Sequence, residues 1–446
     1  MLKKLDHKSQ KAISLKISDS LFPKPFESVL EYNPPVHGTW NIVHIGMQVP
    51  EAHQIYVCAE NCMRGVVMTA DEMGMGDRFS CVTLSEYDML LKSLDDKTVE
   101  GICDVIEKLG RHPPMVMVFL VCVHIYLGSD EDYIYRKLGE RYPDIFFARC
   151  YMDPISQRTG PTPEQKLRES MFDPIKKLPE NKRDINILGC DIPLGDSADV
   201  LRILRENGFV PRQLGDLSSF DDFLSMGSAS LNICHYPTGD SGVKKLSKRL
   251  DIPYLYLSPS FSYDEISDSL DKLKNAVGIK LSGYENEKNE CDECLSLLKD
   301  ILGDTPVSID YTAVPRPLSL ARLLIEHSFN VKNIYLEFIN DDEEKDFIFL
   351  KKNCPSLPLC STVRPELRMA ERPKSDVLAI GQKAAYYENT SRFVNIVEGG
   401  GLWGFGGIKE LCRLMGEAFR EEKDTRDIVM RKGLGCPSVC AMPERR

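Results

Sequence analysis

Apolar residues along this chain gather in short unbroken runs separated by amphipathic stretches. The runs are NIVHIG (41–46), MVMVFLVCV (115–123), DIFFARC (144–150), INILGC (185–190), LNIC (231–234), YLYL (254–257), VSID (307–310), NIYLEF (333–338), VLAI (377–380) and FVNIV (393–397). Their length and β-branched or aromatic content suit strands buried on both faces. Between them, SADVLRILRENG (197–208), SGVKKLSKRL (241–250), YDEISDSLDKLKNAVG (263–278) and LSLARLLIEHS (318–328) carry helical spacing and begin at a polar cap. Strand and helix in alternation predict parallel βαβ units.

The pattern restarts twice, where LPENKRDINILG (178–189) and LGDTPVSIDY (302–311) place a charged or turn-rich segment before a fresh strand. A chain of 446 residues exceeds what one hydrophobic core can serve. The expectation is an α/β protein with an N-terminal arm over 1–35 and three lobes over 36–180, 181–302 and 303–446. In open parallel sheets ligands sit beyond the carboxyl ends of the strands, so the residues just after each strand are where chemistry is sought.

A net charge of −11 argues against a general nucleic-acid binder, because counterion release needs a basic surface. The longest apolar stretch, Pro114 to Gly128, is too short for a bilayer of ~30 Å, and the opening MLKKLDHKSQKAISLKI has no apolar signal core. A cytoplasmic protein with no membrane partner is expected. The 15 cysteines are scattered and odd in number, unlike a secreted disulfide scaffold. Metal ligation or redox chemistry follows for some of them, while any one taken alone is ordinarily a small buried hydrophobe.

In YVCAENCMRGVV, Cys58 and Cys62 stand four apart, which at a helix start puts both thiols on one face and near the thiolate-stabilising end of the dipole. Cys122 closes the most apolar strand, six residues before Gly128. His124 beside it reads as a satisfied core or interface histidine. Cys291 and Cys294 open a helix in a charged stretch and Cys436 and Cys440 lie near the tail; a four-thiolate site from the two pairs is opposed by Asp292 and Glu293. Gly399, Gly400 and Gly401 lead through Trp403 and Phe405 into a helix. Such a loop either cradles a carboxylate or phosphate on its amides or makes a tight crossing that needs φ > 0. There is no Walker phosphate loop.

Taken together, these segments resemble the nitrogenase component 1 family, which includes dark-operative protochlorophyllide reductase subunits and cofactor-assembly scaffolds. Cys62 falls at the cysteine of the family's HGPxGC-type segment, here preceded by CAEN. Cys122 precedes Gly128-Ser129-Asp130 at the spacing of the family's Gly-Asp-Asp, and ARCYMDPISQRTG sets Cys150, Ser156, Gln157 and Gly160 in register with its RC…SQ…G segment. The stretches beginning INILGCDIPLG, ASLNICHYPTG and VLAIGQKAAYY resemble the second lobe and the last sheet with its glycine-rich loop. There are departures. The position of the catalytic cofactor's cysteine falls on His235, with Cys234 adjacent, and that of its histidine falls on Trp403, whose indole cannot ligate iron. EYNPPVHGTWNIVHIG has no counterpart of an early third cluster cysteine, for which Cys58 is a spatial candidate.

The resemblance implies three Rossmann-like lobes with mainly parallel sheets around a central cleft. It implies a [4Fe–4S] cluster at a subunit interface, held by Cys62 and Cys122 with Cys58 as a further candidate, while a nitrogenase-type FeMo cofactor is not expected. Two cysteines per chain suit a homodimer; three suit a heterodimer with a related component 1 subunit. The partner would be an ATP-dependent iron-protein-like reductase, with substrate reduced in a cleft bounded by Cys234, His235, Gly400, Gly401 and Trp403. A scaffold for metallocluster assembly and a cluster-free binding paralogue are the alternatives.

Overall fold

The computed structural model describes residues 14–26, 42–91, 93–153, 161–280, 282–362 and 370–424. In chain order its strands are β1 (Ser14–Lys16), β2 (His53–Ala59), β3 (Phe79–Leu84), β4 (Met115–Val121), β5 (Phe146–Met152), β6 (Asn181–Leu188), β7 (Val210–Gln213), β8 (Ala229–Cys234), β9 (Tyr254–Tyr256), β10 (Val307–Asp310), β11 (Val331–Leu336), β12 (Pro358–Ser361), β13 (Leu378–Ile380) and β14 (Phe393–Val394). They form three sheets ordered β3-β2-β4-β5, β7-β6-β8-β9 and β1-β12-β11-β10-β13-β14. Every pairing is parallel except that of β1 with β12. Contacts divide the described residues into two compact units, one of 42–191 with 209–256 and the other of 14–26, 192–208 and 257–424.

In the first unit the continuous apolar character of β4 has a direct cause. Met117, Phe119 and Val121 pack with Tyr56 and Cys58 on one face, and Val116, Val118 and Leu120 pack with Ile55 and Val57 on the other. Both faces are covered, so no polar alternation survives. Tyr56 stacks between Phe79 (5.0 Å) and Phe119 (4.1 Å), tying three adjacent strands together. The covering helix Leu94–Leu109 starts at Ser93, whose hydroxyl accepts the Asp96 N–H at 3.2 Å, and stops at Gly110 with φ +63°.

In the second unit the buried Arg316 is held by Glu265 at 2.7 Å and Asp346 at 2.8 Å. This pairing is what allows a guanidinium inside the protein.

Several expectations need correction. NIVHIG is not a strand: Ile42–Met47 is a short, wholly buried helix, and His53–Ala59 takes the sheet position instead. A short apolar run has no periodicity to separate the two states, and here Gly46 lies so close to the Gln54 side chain that a Cβ would come within 2.6 Å of its Nε2. FVNIV pairs only through Phe393 and Val394. Cys291 and Cys294 lie inside the helix Glu285–Leu302 rather than at its start.

Candidate functional site

Each sheet has one place where the strand order reverses. In the first, the chain steps outward from β2 to β3 and then returns to lay β4 on the other side of β2, so the reversal falls between β2 and β4. Helices leaving two such strands diverge to opposite faces, and the gap left at the carboxyl ends is the usual binding crevice of an open parallel sheet. Cys62 and Cys122 both stand there. Val57 pairs with Leu120, so the last residue of β2, Ala59, comes level with Cys122. Cys62 is the third residue of the helix Glu60–Glu72 and is exposed; Cys122 is the first of the short helix Cys122–Tyr126 and is half-buried.

Large apolar side chains follow both cysteines and remain open to solvent: Met68 at 52%, Ile125 at 48%, Tyr126 at 65% and Leu127 at 50%. Grouped exposure of this kind marks a surface built to be covered. Behind Cys122, the buried His124 accepts the Val121 N–H through Nδ1 (3.3 Å) and meets the Thr98 hydroxyl through Nε2 (3.1 Å). Burial pushes its pKa down to about 4, so the ring is neutral at physiological pH. The expected partnership of Cys58 and Cys62 on one helix face is not what the backbone makes. Cys58 belongs to β2, is fully buried, and has its thiol pushed up to about 12 by burial and by neighbouring Cys81 and Cys62.

The second sheet reverses between β6 and β8, where Leu188 pairs with Cys234. Cys234 and His235 therefore occupy its crevice. Cys234 donates its S–H to the Tyr236 carbonyl at 3.3 Å, and burial lifts its pKa to about 12. Gly189 (φ +92°) is required beside it, since a Cβ there would lie 2.6 Å from the Cys234 sulfur. His235 is 7% exposed and pushed down to about 4 by burial. Just past β6, the Asp191 carboxylate makes a two-pronged buried pair with Arg168, at 2.9 and 3.1 Å.

The third sheet reverses between β10 and β13. Here the buried Asp310 accepts N–H bonds from Thr312 (2.8 Å) and Ala384 (2.7 Å), and Lys383 contacts the Tyr311 hydroxyl and, at 3.5 Å, Glu337. Sequence reasoning did not single out these residues; the usable signal was an aspartate ending the apolar strand VSID.

The glycine loop lies in the same unit as that sheet. Gly399, Gly400 and Gly401 have φ of +83°, +56° and +76°. The Gly399 and Gly400 amides are engaged by the Ala313 and Val397 carbonyls, at 2.7 and 2.8 Å, while the Gly401 carbonyl accepts from Gly195 N–H at 2.9 Å. At the following helix, Gly404–Arg420, the Gly406 N–H donates to the Asp199 carboxylate at 3.1 Å. The chain thus supplies its own anion to that helix start. Trp403 is 3% exposed and its indole N–H donates to the Leu257 carbonyl at 3.3 Å. The cavity beside it measures about 10 Å³, room for one water.

Among the described residues, no group of three or more His, Cys, Asp or Glu is arranged to hold a metal ion, and no helix is long and apolar enough to cross a membrane. Ser156, Gln157, Gly160, Cys436 and Cys440 lie outside the described residues.

A family model for nitrogenase component 1 type oxidoreductases matches residues 46–419. The chain therefore belongs to that family. No curated protein matches it. Among solved structures it is similar to nitrogenase Cp1 at pH 6.5, with 13% identity and a TM-score of 0.65 over 89% of this chain and 94% of that one. Nitrogenase Cp1 at pH 5 matches with 12% identity and a TM-score of 0.57, covering 92% and 94%. At such identities the likeness speaks for the fold, an α/β architecture with mainly parallel sheets.

Proposed function

We propose that this chain is the electron-accepting, substrate-reducing component of a nitrogenase-like reductase, with Cys62 and Cys122 supplying half of the thiolates of a [4Fe–4S] cluster completed by a second subunit. What supports the reading is that each cysteine comes just after one of the two strands, β2 and β4, that flank the reversal, with solvent-open apolar side chains following each. The pair fits the group in part: two thiolates at a surface meant for burial suit a cluster whose other two ligands come from the facing chain. Cys58 fits less well, because it belongs to β2 and is fully buried rather than open at a surface a second subunit could cover.

When bound, such a cluster takes up and passes on single electrons. The residues of the chain do the rest. Cys62 and the start of its helix present a thiolate to the interface, His124 fixes the turn that carries Cys122, and Met68, Ile125, Tyr126 and Leu127 exclude water once a second subunit covers them. The electron donor in this reading is an ATP-dependent iron-protein-like reductase, and the second subunit is either another copy or a related component 1 chain. Cys234 and His235, and in the other unit Gly400, Gly401 and Trp403, serve to shape binding surfaces. A thiol bonded to Tyr236 and an indole bonded to Leu257 are already committed within the protein, which favours this assignment over metal ligation.

Mixing anaerobic protein with a nitrogenase iron protein and MgATP in a stopped-flow spectrometer tests the reading. Bleaching of this chain's iron–sulfur band, once the opposite change from oxidation of the iron protein's own cluster is subtracted, is the expected result in the wild type, and its absence in Cys122→Ala. No ATP-dependent bleaching in a wild type that carries iron would point instead to the assembly scaffold.

A further inference from the structure

The unit that carries Cys62 and Cys122 has a second surface, at the amino-terminal ends of its strands. Two sequence segments meet there. KKLPENKR (176–183) and KKLSKRLD (244–251) each hold four cations against one carboxylate, in a chain whose net charge is −11. Lys177 Nζ reaches the Asp251 carbonyl at 3.0 Å, which puts the segments in direct contact, and Arg249 reaches the carbonyls of Ile175 and Phe172, just before the first segment, both at 2.7 Å. All eight cations are exposed. Lys176, Lys182, Arg183 and Lys248 have no carboxylate partner among the described residues.

Beside this patch runs an open apolar groove of about 460 Å³, walled by Pro114, Phe146, Pro174, Leu178, Phe220 and Leu224. Pro114 immediately precedes β4 and Phe146 begins β5, so the groove lies a full strand length, on the order of 20 Å, from the cysteine crevice. Two carboxylates also border it, but Asp144 is bonded to His112 at 2.7 Å and Asp173 lies 3.7 Å from Lys245. Lys176 is the cation on its lining, and because a neutral His112 leaves the Asp144 carboxylate charged, the cations that would meet an acidic ligand are Lys176 and those of the basic rim.

We infer that this groove and its basic rim form a docking surface for an acidic, amphipathic segment of a partner protein. Apolar side chains of the segment would fill the groove and its carboxylates would meet Lys176, Lys182 and Lys248. Opposed potentials of this kind steer encounter and set partner choice, while the apolar wall supplies the contact that outlasts the encounter. A nucleic acid would satisfy the cations but leave the groove unfilled. The inference is independent of the cluster assignment, which concerns the opposite pole of the same unit.

The test is fluorescence anisotropy on the full chain with a labelled peptide alternating Glu and Leu, a Lys/Leu counterpart, a labelled oligonucleotide and phosphatidylserine vesicles. The expected result is saturable binding of the Glu/Leu peptide that weakens with added salt, and weakens at least about tenfold in the triple variant Lys176→Glu, Lys182→Glu, Lys248→Glu. Leu178→Asp should weaken it comparably, and the neutral triple Lys→Gln variant should fall between wild type and reversal. Equal binding of the Glu/Leu and Lys/Leu peptides, or indifference to the charge reversal in a protein of unchanged circular dichroism, would overturn the inference. So would reversal-sensitive binding of the oligonucleotide or the vesicles in place of the peptide.

Discussion

His124 accepts the N–H of Val121 at 3.3 Å, bridging the residue immediately before Cys122 to the helix that holds Thr98. The turn from β4 into the Cys122 helix is therefore fixed by a neutral imidazole whose acceptor is Nδ1 and whose N–H is on Nε2. His124→Leu leaves one buried N–H and one buried hydroxyl without partners, a loss of about 1–3 kcal/mol for each group. His124→Asn keeps an acceptor near the Nδ1 position and should recover part of it. Urea unfolding of both variants checks the order wild type, Asn, Leu.

Asp199 is the anion at the start of the Gly404–Arg420 helix, more than two hundred residues away along the chain. Asp199→Ala should cost about 0.5–2 kcal/mol, as for other lost N-terminal caps. Gly404→Ala should also destabilise, since φ is +76° and a Cβ would sit 2.5 Å from the Asp199 carboxylate. Chemical denaturation of the single and double variants should give non-additive losses, because the two changes strike one contact.

His53 and His235 are both held near pKa 4 by burial. An unfolded chain protonates them near 6.5, so between about 4 and 6.5 the unfolded state binds more protons and stability rises with pH, levelling off above that window. Each histidine accounts for at most about 3 kcal/mol of that rise. Replacing either by Gln should flatten the slope of stability against pH in this window relative to wild type; an unchanged slope would mean the ring is not buried neutral.

Much of the fold was legible because buried parallel strands leave uninterrupted apolar runs, as in 115–121, 231–234 and 307–310. His53–Ala59 was hidden by its polar members. Gln54 looks like a surface residue in sequence, yet its Nε2 donates to the Val43 carbonyl at 2.9 Å and its Oε1 accepts from the Tyr56 hydroxyl at 3.0 Å. Once β2 is a strand, Cys58 moves from a helix face into the core and leaves Cys62 as the outward thiol. That Cys62 and Cys122 follow adjacent strands depends on β4 returning beside β2, a pairing between segments about sixty residues apart that no local pattern encodes. The commitment of the Gly399 amide to Ala313, and of the Gly406 amide in the following helix to Asp199, was likewise unreadable, because those partners lie far away in sequence.

The central claim is the thiolate pair at the β2/β4 reversal, and its most direct test is iron and acid-labile sulfide analysis of anaerobically purified and reconstituted protein. Wild type and Cys58→Ala should each carry about four irons and four sulfides per cluster-bearing dimer, while Cys62→Ala and Cys122→Ala should lose them at unchanged fold. A well-folded wild type that takes up no iron, or one that keeps its full complement after either Cys62 or Cys122 is removed, would contradict it.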